Sequence, residues 1–191
     1  MRFWCFLIKR RTLVIDEMNF RRPLYNFILV IVSFILQTTV FRALDFGGIA
    51  PNLMIILTAS TAFIKGDKPG LLVGFFSGLL IDIFFGTYIG FYALIYMYIG
   101  FVVGKLHAIF FTQNLAIPIV MISFADFVFG FICYVLMFLF RTKFDIGYYM
   151  MNIIIPGLVY TAVIAIFFYP VILWMNNSID ERELRSAKKF V

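Results

Sequence analysis

Long runs of residues without charge alternate with short charged clusters along this chain. Residues 23–41 and 46–64 contain no Asp, Glu, Lys or Arg. Each run approaches the ~20 mostly apolar residues that a helix needs to cross the hydrocarbon core of a bilayer. The pattern therefore predicts two membrane-spanning helices, the second with Pro51 near its start, where a proline is tolerated.

The next apolar run, 70–104, is interrupted by charge only at Asp82. A helix rises about 1.5 Å per residue, so this run is too long for one crossing. We predict a break at Gly86-Thr87-Tyr88. Four further helices follow from the pattern, at about 70–85, 89–106, 115–140 and 153–175. Residues 148–152 are predicted to be interfacial, and Pro170 is expected to kink the last helix.

The composition indicates that lipid surrounds most of these side chains. Hydrophobic residues make up 63% of the chain and charged residues 14%, whereas a soluble domain has about 25% charged residues. So few charges could not cover the surface of a water-soluble protein. The predicted fold is an all-α integral membrane protein, a six-transmembrane-helix bundle embedded in the lipid bilayer.

The basic residues predict the orientation of this bundle. With both termini cytoplasmic, all but three of the 16 lysines and arginines face the cytoplasm, as the positive-inside rule requires. The exceptions are Arg42, Arg141 and Lys143. The chain then divides into a basic cytoplasmic N-terminal segment (1–22), a six-helix membrane domain (23–176) and a basic cytoplasmic tail (177–191), in a multi-pass protein of the cell membrane.

The first residues have two interpretations. A short apolar stretch precedes Lys9, Arg10 and Arg11, which is the reverse of the order in a signal peptide. The segment could be an interfacial anchor. Alternatively, residues 1–17 lie upstream of a true translation start at Met18.

A four-residue repeat of small residues surrounds Asp82, the charged residue within the third predicted helix. It comprises Gly70, Gly74, Gly78, Asp82, Gly86 and Gly90. Small residues at this spacing let another helix approach closely, so we regard these positions as candidates for helix packing or partner binding. The face could receive a partner's helix or another helix of the bundle. Asp82 itself could contribute to a partner surface, or bond to a helix end or a hydroxyl.

Two further polar residues are predicted to lie within the membrane. Asp126 is near the middle of the fifth helix, and Asn52 opens the second. An ionisable group in the bilayer is expensive and is a functional candidate by default. Asp126 could be a protonated acid bonded to a Tyr, Ser or Asn across the bundle, or a partner-binding or conformational pivot.

Other classes of function find little support. The sequence has no HExxH, GxSxG or P-loop motif and only one histidine, His107, so we predict no catalytic, cofactor-binding or metal site. The net charge of +6 lies in short clusters between apolar runs. A nucleic-acid-binding protein would need a soluble basic surface instead, and we expect no nucleic-acid partner.

The central block resembles the MreD family of bacterial rod shape-determining membrane proteins. The resemblance is carried by Pro51-Asn52-Leu53, by residues 74–82 (GFFSGLLID), and by Gly86 and Gly90. It implies a non-enzymatic role beside the bitopic membrane protein MreC in the inner membrane. It also implies indirect partners in lateral peptidoglycan synthesis: MreB filaments, a SEDS glycosyltransferase and a class B penicillin-binding transpeptidase.

The resemblance also implies a fold similar to the S components of ECF vitamin transporters. The alternative function is therefore an S-component-like substrate-binding subunit. That alternative predicts a substrate pocket near the outer face and a small-residue AxxxA motif on the first helix. No paired alanines occur in residues 27–35, and shared fold does not by itself transfer function.

Overall fold

The computed structural model describes residues 23–40, 49–86, 88–110, 116–141 and 146–188. The regular elements in these ranges are helices, as the sequence predicts. In chain order they are α1 (Pro23–Val40), α2 (Leu53–Lys65), α3 (Asp67–Phe85), α4 (Phe91–Phe110), α5 (Ala116–Arg141), the short α6 (Ile146–Tyr149), a π-helical turn (Met150–Ile154) and α7 (Ile155–Lys188).

Successive long helices run in opposite directions. α2, α4 and α7 all begin at one end of the bundle, which we call the aspartate end because Asp82 lies there. The backbone N–H of Asn52, before α2, donates to Thr161 Oγ1 on α7 at 3.2 Å. At the opposite, lysine end, which carries Lys65 and Lys105, Lys65 Nζ donates to Asp180 on α7 at 2.6 Å. Contacts between α2 and α7 at both ends establish that these two helices are parallel.

The second helix forms the centre of the bundle. Every residue from Leu53 to Phe63 is buried, and α3, α4, α5 and α7 all pack against it. A helix that is apolar on all sides is typical of such a position. The core of the described protein is therefore built around α2 instead of between two layers.

Four of the helices are long and apolar enough to cross a membrane, with spans at Pro23–Val40, Asp67–Phe85, Ala116–Leu136 and Gly147–Glu181. α2 and the apolar part of α4 are shorter. The prediction that the second helix covers 46–64 is wrong at its start, since residues 49–52 are not helical. Asn52 caps α2 by accepting the N–H of Ile55 at 3.2 Å, and Pro51 precedes the cap.

The last helix is longer than the sequence predicts. α7 continues through Pro170 to Lys188, so the prediction that it ends near 175 is wrong, while a kink at Pro170 stays a prediction. The π-helical turn joins α6 to α7, with the N–H of Ile155 donating to Met150 O. Because Pro156 has no N–H and its ring crowds the preceding turn, a wider turn at this point keeps the helix continuous.

The predicted break between the third and fourth helices is confirmed. α3 ends at Phe85, and the N–H of Gly86 donates to the carbonyls of Ile81 and Asp82 at 3.1 and 3.0 Å. Gly90 has φ +100°, which side chains with a Cβ rarely adopt. The chain therefore reverses direction within five residues and begins α4 directly beside the end of α3.

Candidate functional site

A seam of glycines joins α3 to α4 along their whole length. A Cβ added to Gly78 would lie 2.5 Å from the Cα of Ala93 and from the carbonyl oxygen of Tyr92. A Cβ on Gly74 would meet the carbonyl of Tyr96. These neighbours are backbone atoms, which cannot rotate away as a flexible side chain could. The two helices thus touch backbone to backbone, as small-residue spacing allows.

At the lysine end of the same seam, two glycines of α4, Gly100 and Gly104, face α3. Gly100 lies against the backbone of Gly70, and Gly104 lies against that of Asp67. A Cβ on Gly70 would also meet Ala62 of α2. Of the two occupants that the sequence leaves open for the Gly70, Gly74 and Gly78 face, the structure places another helix of this bundle there.

Asp82 is buried at the aspartate end of this seam. Its side chain is 1% exposed. The carboxylate accepts three backbone N–H groups from the start of α4: Gly90 at 3.0 Å, Tyr92 at 2.9 Å and Ala93 at 2.9 Å. The first N–H groups of a helix have no partner within the helix, and a negative charge there also complements the helix dipole. Asp82 therefore caps α4 from the neighbouring helix.

Gly86 and Gly90 have a different role from the glycines of the seam. Gly86 ends α3, where an added Cβ would meet the backbone of Asp82. Gly90 has nothing within 4 Å of an added Cβ, and only its positive φ requires glycine. The structure therefore assigns these two predicted packing positions to the turn between α3 and α4.

Asp126 belongs to a group of polar side chains that the fold brings together from four helices. The side chain of Asp126 of α5 lies beside those of Thr161 of α7 and Asn52 at the start of α2, and all three line one cavity. Asn52 Oδ1 also accepts the hydroxyl of Tyr96 of α4 at 2.9 Å. The structure thus brings together Asp126 and Asn52, which the sequence named separately as intramembrane polar residues.

The donors and acceptors of this network are mutually consistent. The oxygen of the Asn52 side chain accepts two bonds, from Ile55 N–H and Tyr96 O–H, so its amide N–H₂ group is the part that remains to donate toward Asp126. The hydroxyl of Thr161 accepts the backbone N–H of Asn52. Tyr96 and Thr161 are each 1% exposed. Buried polar groups whose hydrogen bonds are made in this way hold one arrangement of the helices.

A cavity of about 270 Å³ lies beside the network. Asp126, Asn52 and Thr161 contribute polar groups to its wall. The remaining lining is apolar or aromatic and comprises Ile49, Ala50, Tyr92, Phe129, Gly130, Cys133, Tyr149, Ile153, Ile154, Gly157 and Leu158. Among the described residues, Asp126 therefore contributes the one acidic group to the wall of this partly open, mostly apolar cavity.

A second concave region lies between α4 and α5 and is entirely apolar. It has a volume of about 300 Å³. Its α4 wall consists of residues spaced one helical turn apart, and its α5 wall of four aliphatic or aromatic side chains near Asp126. The lining residues are Leu94, Ile95, Tyr98, Ile99, Val102, Val103, Leu106, Phe124, Ala125, Val128 and Ile132.

Sequence reasoning missed several residues of these sites. Tyr96 and Thr161 carry no motif, and only the fold brings them to Asn52 and Asp126. His107 lies on α4, where its Nδ1 donates to the carbonyl of Phe63 and its ring packs edge-on against the Phe63 ring at 5.8 Å. The ion pair of Lys65 and Asp180 was also not predicted.

The comparisons with known proteins identify the family. The family model for rod shape-determining protein MreD matches residues 18–178. Neither the comparison with curated proteins nor the one with solved structures gives a match. The family match covers α1 to α6 and most of α7. It includes Asp82, Asp126 and the glycine seam. The chain therefore belongs to the MreD family, whose members are membrane proteins that determine rod shape.

Proposed function

We propose that the chain is a non-enzymatic scaffold of the cell-elongation complex, where it binds an MreC-like bitopic membrane protein and thereby supports lateral peptidoglycan synthesis. The MreD family match carries this proposal. The role of Asp82 supports it as well, because this carboxylate is engaged in capping a helix. MreB filaments, the SEDS glycosyltransferase and the class B penicillin-binding transpeptidase would be indirect partners.

The proposed topology places the lysine end in the cytoplasm and the aspartate end outside the inner membrane. Lys65, Lys68 and Lys105 lie at ends of helices that meet on one side of the bundle, in agreement with the positive-inside rule. α7 is about 50 Å long at 1.5 Å per residue, which exceeds the ~30 Å hydrocarbon core. Its last turns would therefore project into the cytoplasm.

Single-cysteine labelling tests this topology. A cysteine placed at Tyr88, which is 69% exposed at the aspartate end, should react in intact spheroplasts with a thiol reagent that cannot cross membranes. A cysteine placed at Lys68 should react only after the membrane is opened. The reverse pattern would contradict the proposed orientation.

The apolar groove between α4 and α5 is the proposed binding surface for a transmembrane helix of the MreC-like partner. The glycine face of α3 is covered by α4, so this partner must bind elsewhere. Leu94, Tyr98 and Val102 repeat at the one-turn spacing into which the side chains of a second helix can pack. The groove wall from Leu94 to Leu106 is about 18 Å long, and its lining is apolar throughout, as a lipid-embedded helix requires.

A matched pair of variants tests the groove. Val102 lies in the groove and is 41% exposed, whereas Val163 lies on α7 outside it and is 47% exposed. We expect Val102→Trp to reduce co-purification of MreC and Val163→Trp to leave it unchanged, with both variants folded by size-exclusion chromatography. Equal recovery with both variants would place the binding surface elsewhere while leaving the scaffold role open.

One observation favours the alternative of an S-component-like substrate-binding subunit. The cavity beside Asp126 lies at the aspartate end, which the proposed topology makes the outer face, where that alternative predicts a pocket. Depletion distinguishes the two functions. Loss of rod shape supports the scaffold, whereas a vitamin requirement with normal shape supports the transporter subunit.

A further inference from the structure

The cavity beside Asp126 has the chemistry of a cation site. A carboxylate can accept about four hydrogen bonds, and the polar side chains beside Asp126 in the cavity wall, Thr161 and Asn52, are both neutral. The carboxylate of Asp126 can therefore accept further hydrogen bonds on the side that lines the cavity. Within the described part of the chain, no lysine, arginine or histidine lines this cavity or forms an ion pair with Asp126. A carboxylate in a largely apolar chamber is costly without a compensating charge.

The remaining walls favour an organic cation over a metal ion. Tyr92, Phe129 and Tyr149 line the same cavity, and aromatic faces attract ammonium groups, the more so when water is excluded. A hard metal ion would instead need six or more oxygen ligands. Among the described residues, this wall offers one carboxylate, the hydroxyls of Thr161, Tyr92 and Tyr149, and the oxygen of Asn52, which already accepts two bonds. An anion would be repelled by Asp126.

The dimensions allow more than a bare ion. A volume of about 270 Å³ greatly exceeds that of a site for one or two waters, so an ammonium group can enter with a short alkyl chain against Ile153, Ile154 and Leu158. We propose that this cavity binds a primary alkylammonium group, with the ammonium on Asp126 and the alkyl chain on the apolar wall. This site is separate from the groove between α4 and α5 and does not depend on the MreC interaction.

Two sources could supply this chemistry. One is a free amine from the aqueous phase, and the other is the headgroup of a phosphatidylethanolamine lipid. Both present a primary ammonium, so both use the same carboxylate. A lipid headgroup is already present in the membrane, whereas a free amine has to be added. An experiment can therefore distinguish the two sources.

The test uses the full chain purified in nanodiscs and measures its thermal unfolding midpoint. In phosphatidylglycerol nanodiscs, n-butylammonium chloride should raise the midpoint in a concentration-dependent manner, because a ligand of the folded state stabilises it. The neutral probe n-pentanol and sodium chloride at equal ionic strength should not. In a second arm without added amine, nanodiscs containing phosphatidylethanolamine are compared with those of phosphatidylglycerol alone.

Variants tie the response to the cavity. Asp126→Asn keeps the size of the side chain and removes its charge, and it should weaken the apparent affinity for butylammonium roughly tenfold or more, as expected for the loss of one charge-assisted bond. Glu181→Gln changes an exposed acid of α7 and should retain the response. A second variant, Gly157→Leu, leaves the carboxylate in place and fills the cavity. It is suitable because a Cβ at Gly157 meets only Ile49 Cγ2, at 3.8 Å.

Each outcome decides the proposal. An Asp126-dependent rise with butylammonium supports a site for free amines. A rise that appears only with phosphatidylethanolamine, and is lost in Asp126→Asn or Gly157→Leu, supports a headgroup site. If neither arm raises the midpoint, if pentanol acts as well as butylammonium, or if both cavity variants respond like the unaltered chain, the cation site is refuted. Should Asp126→Asn fail to fold, Gly157→Leu alone carries the comparison.

Discussion

The carboxylate of Asp82, one turn before the end of α3, accepts the backbone N–H of Ala93 on α4 at 2.9 Å. The same carboxylate holds the N–H groups of Gly90 and Tyr92. Gly78, one helical turn before Asp82, lies against the backbone of the same residue, Ala93. The cap and the glycine seam are therefore one structural unit, in which the charge satisfies the helix end that the glycines bring within reach.

The first prediction concerns this cap. Asp82→Ala should lower the free energy of unfolding by about 2 kcal/mol or more, because three buried N–H groups lose their acceptor. Asp82→Asn keeps one acceptor oxygen and should cost less. Denaturant unfolding in detergent measures both. Asn177→Ala, at an exposed position of α7, is the control and should change little; an equal effect at Asn177 would mean that Asp82 has no special role as a cap.

The second prediction concerns the seam. Gly78→Leu and Gly74→Leu should reduce the folded fraction strongly, by at least the 1–3 kcal/mol typical of overpacking, because the obstructing atoms are backbone. Gly157→Ala is the control, since its Cβ would make only an ordinary contact. Fluorescence-detected size exclusion gives the folded fraction.

The same glycine variants separate folding from partner binding. Recovery of MreC, divided by the amount of folded protein, should be unchanged for Gly78→Leu, because α4 already occupies this face. A loss of MreC binding by fully folded Gly78→Leu protein would show that the seam opens to receive the partner.

The helices and the seam follow from sequence because each is a local pattern. Charge-free runs are visible directly, and the four-residue spacing of Gly70, Gly74 and Gly78 places them on one face. The sequence could not tell which helix lies in the centre. In lipid, inward and outward side chains are equally apolar, so the fully buried α2 and the exposed α1 look alike.

The same reasoning predicted only two of the four residues of the polar network. Asp126 and Asn52 are conspicuous because polar groups in apolar runs are rare. Their association with Thr161 and Tyr96 depends on helices distant in sequence, for which no spacing rule exists. Similarly, the start of α2 was placed too early because an apolar run does not reveal where a cap such as Asn52 interrupts the helix.

The third prediction concerns the turn between α3 and α4. Gly90→Ala should destabilise the fold by about 1–3 kcal/mol, because φ +100° is strained for a residue with a Cβ. Crowding cannot be the cause, since nothing lies within 4 Å of the added atom. Gly147→Ala is the matched control, with equally open space and no positive φ. Unfolding of both in the same detergent checks the difference, and equal stability would mean that the turn relaxes without strain.

The fourth prediction concerns the lysine end, where Lys65 and Asp180 link α2 to α7. Their side chains are 18% and 39% exposed, so solvent screens the pair and its contribution should be small. A double-mutant cycle with Lys65→Met and Asp180→Asn should give a coupling of about 0.5–1 kcal/mol at low salt. The coupling should decrease at high salt. No coupling at low salt would show that the pair does not stabilise the α2–α7 contact.

The fifth prediction ranks two members of the Asp126 network. Tyr96→Phe removes one hydrogen bond and leaves Asn52 Oδ1 with its bond to Ile55, so the loss of stability should be about 1 kcal/mol. Asn52→Ala removes both the cap of α2 and the acceptor of the Tyr96 hydroxyl. It should therefore cost at least twice as much as Tyr96→Phe. Denaturant unfolding of both variants and of Asn52→Asp, which retains the acceptor but brings a second carboxylate toward Asp126, measures the order. If Asn52→Ala were no worse than Tyr96→Phe, the cap that Asn52 forms on α2 would contribute little to stability.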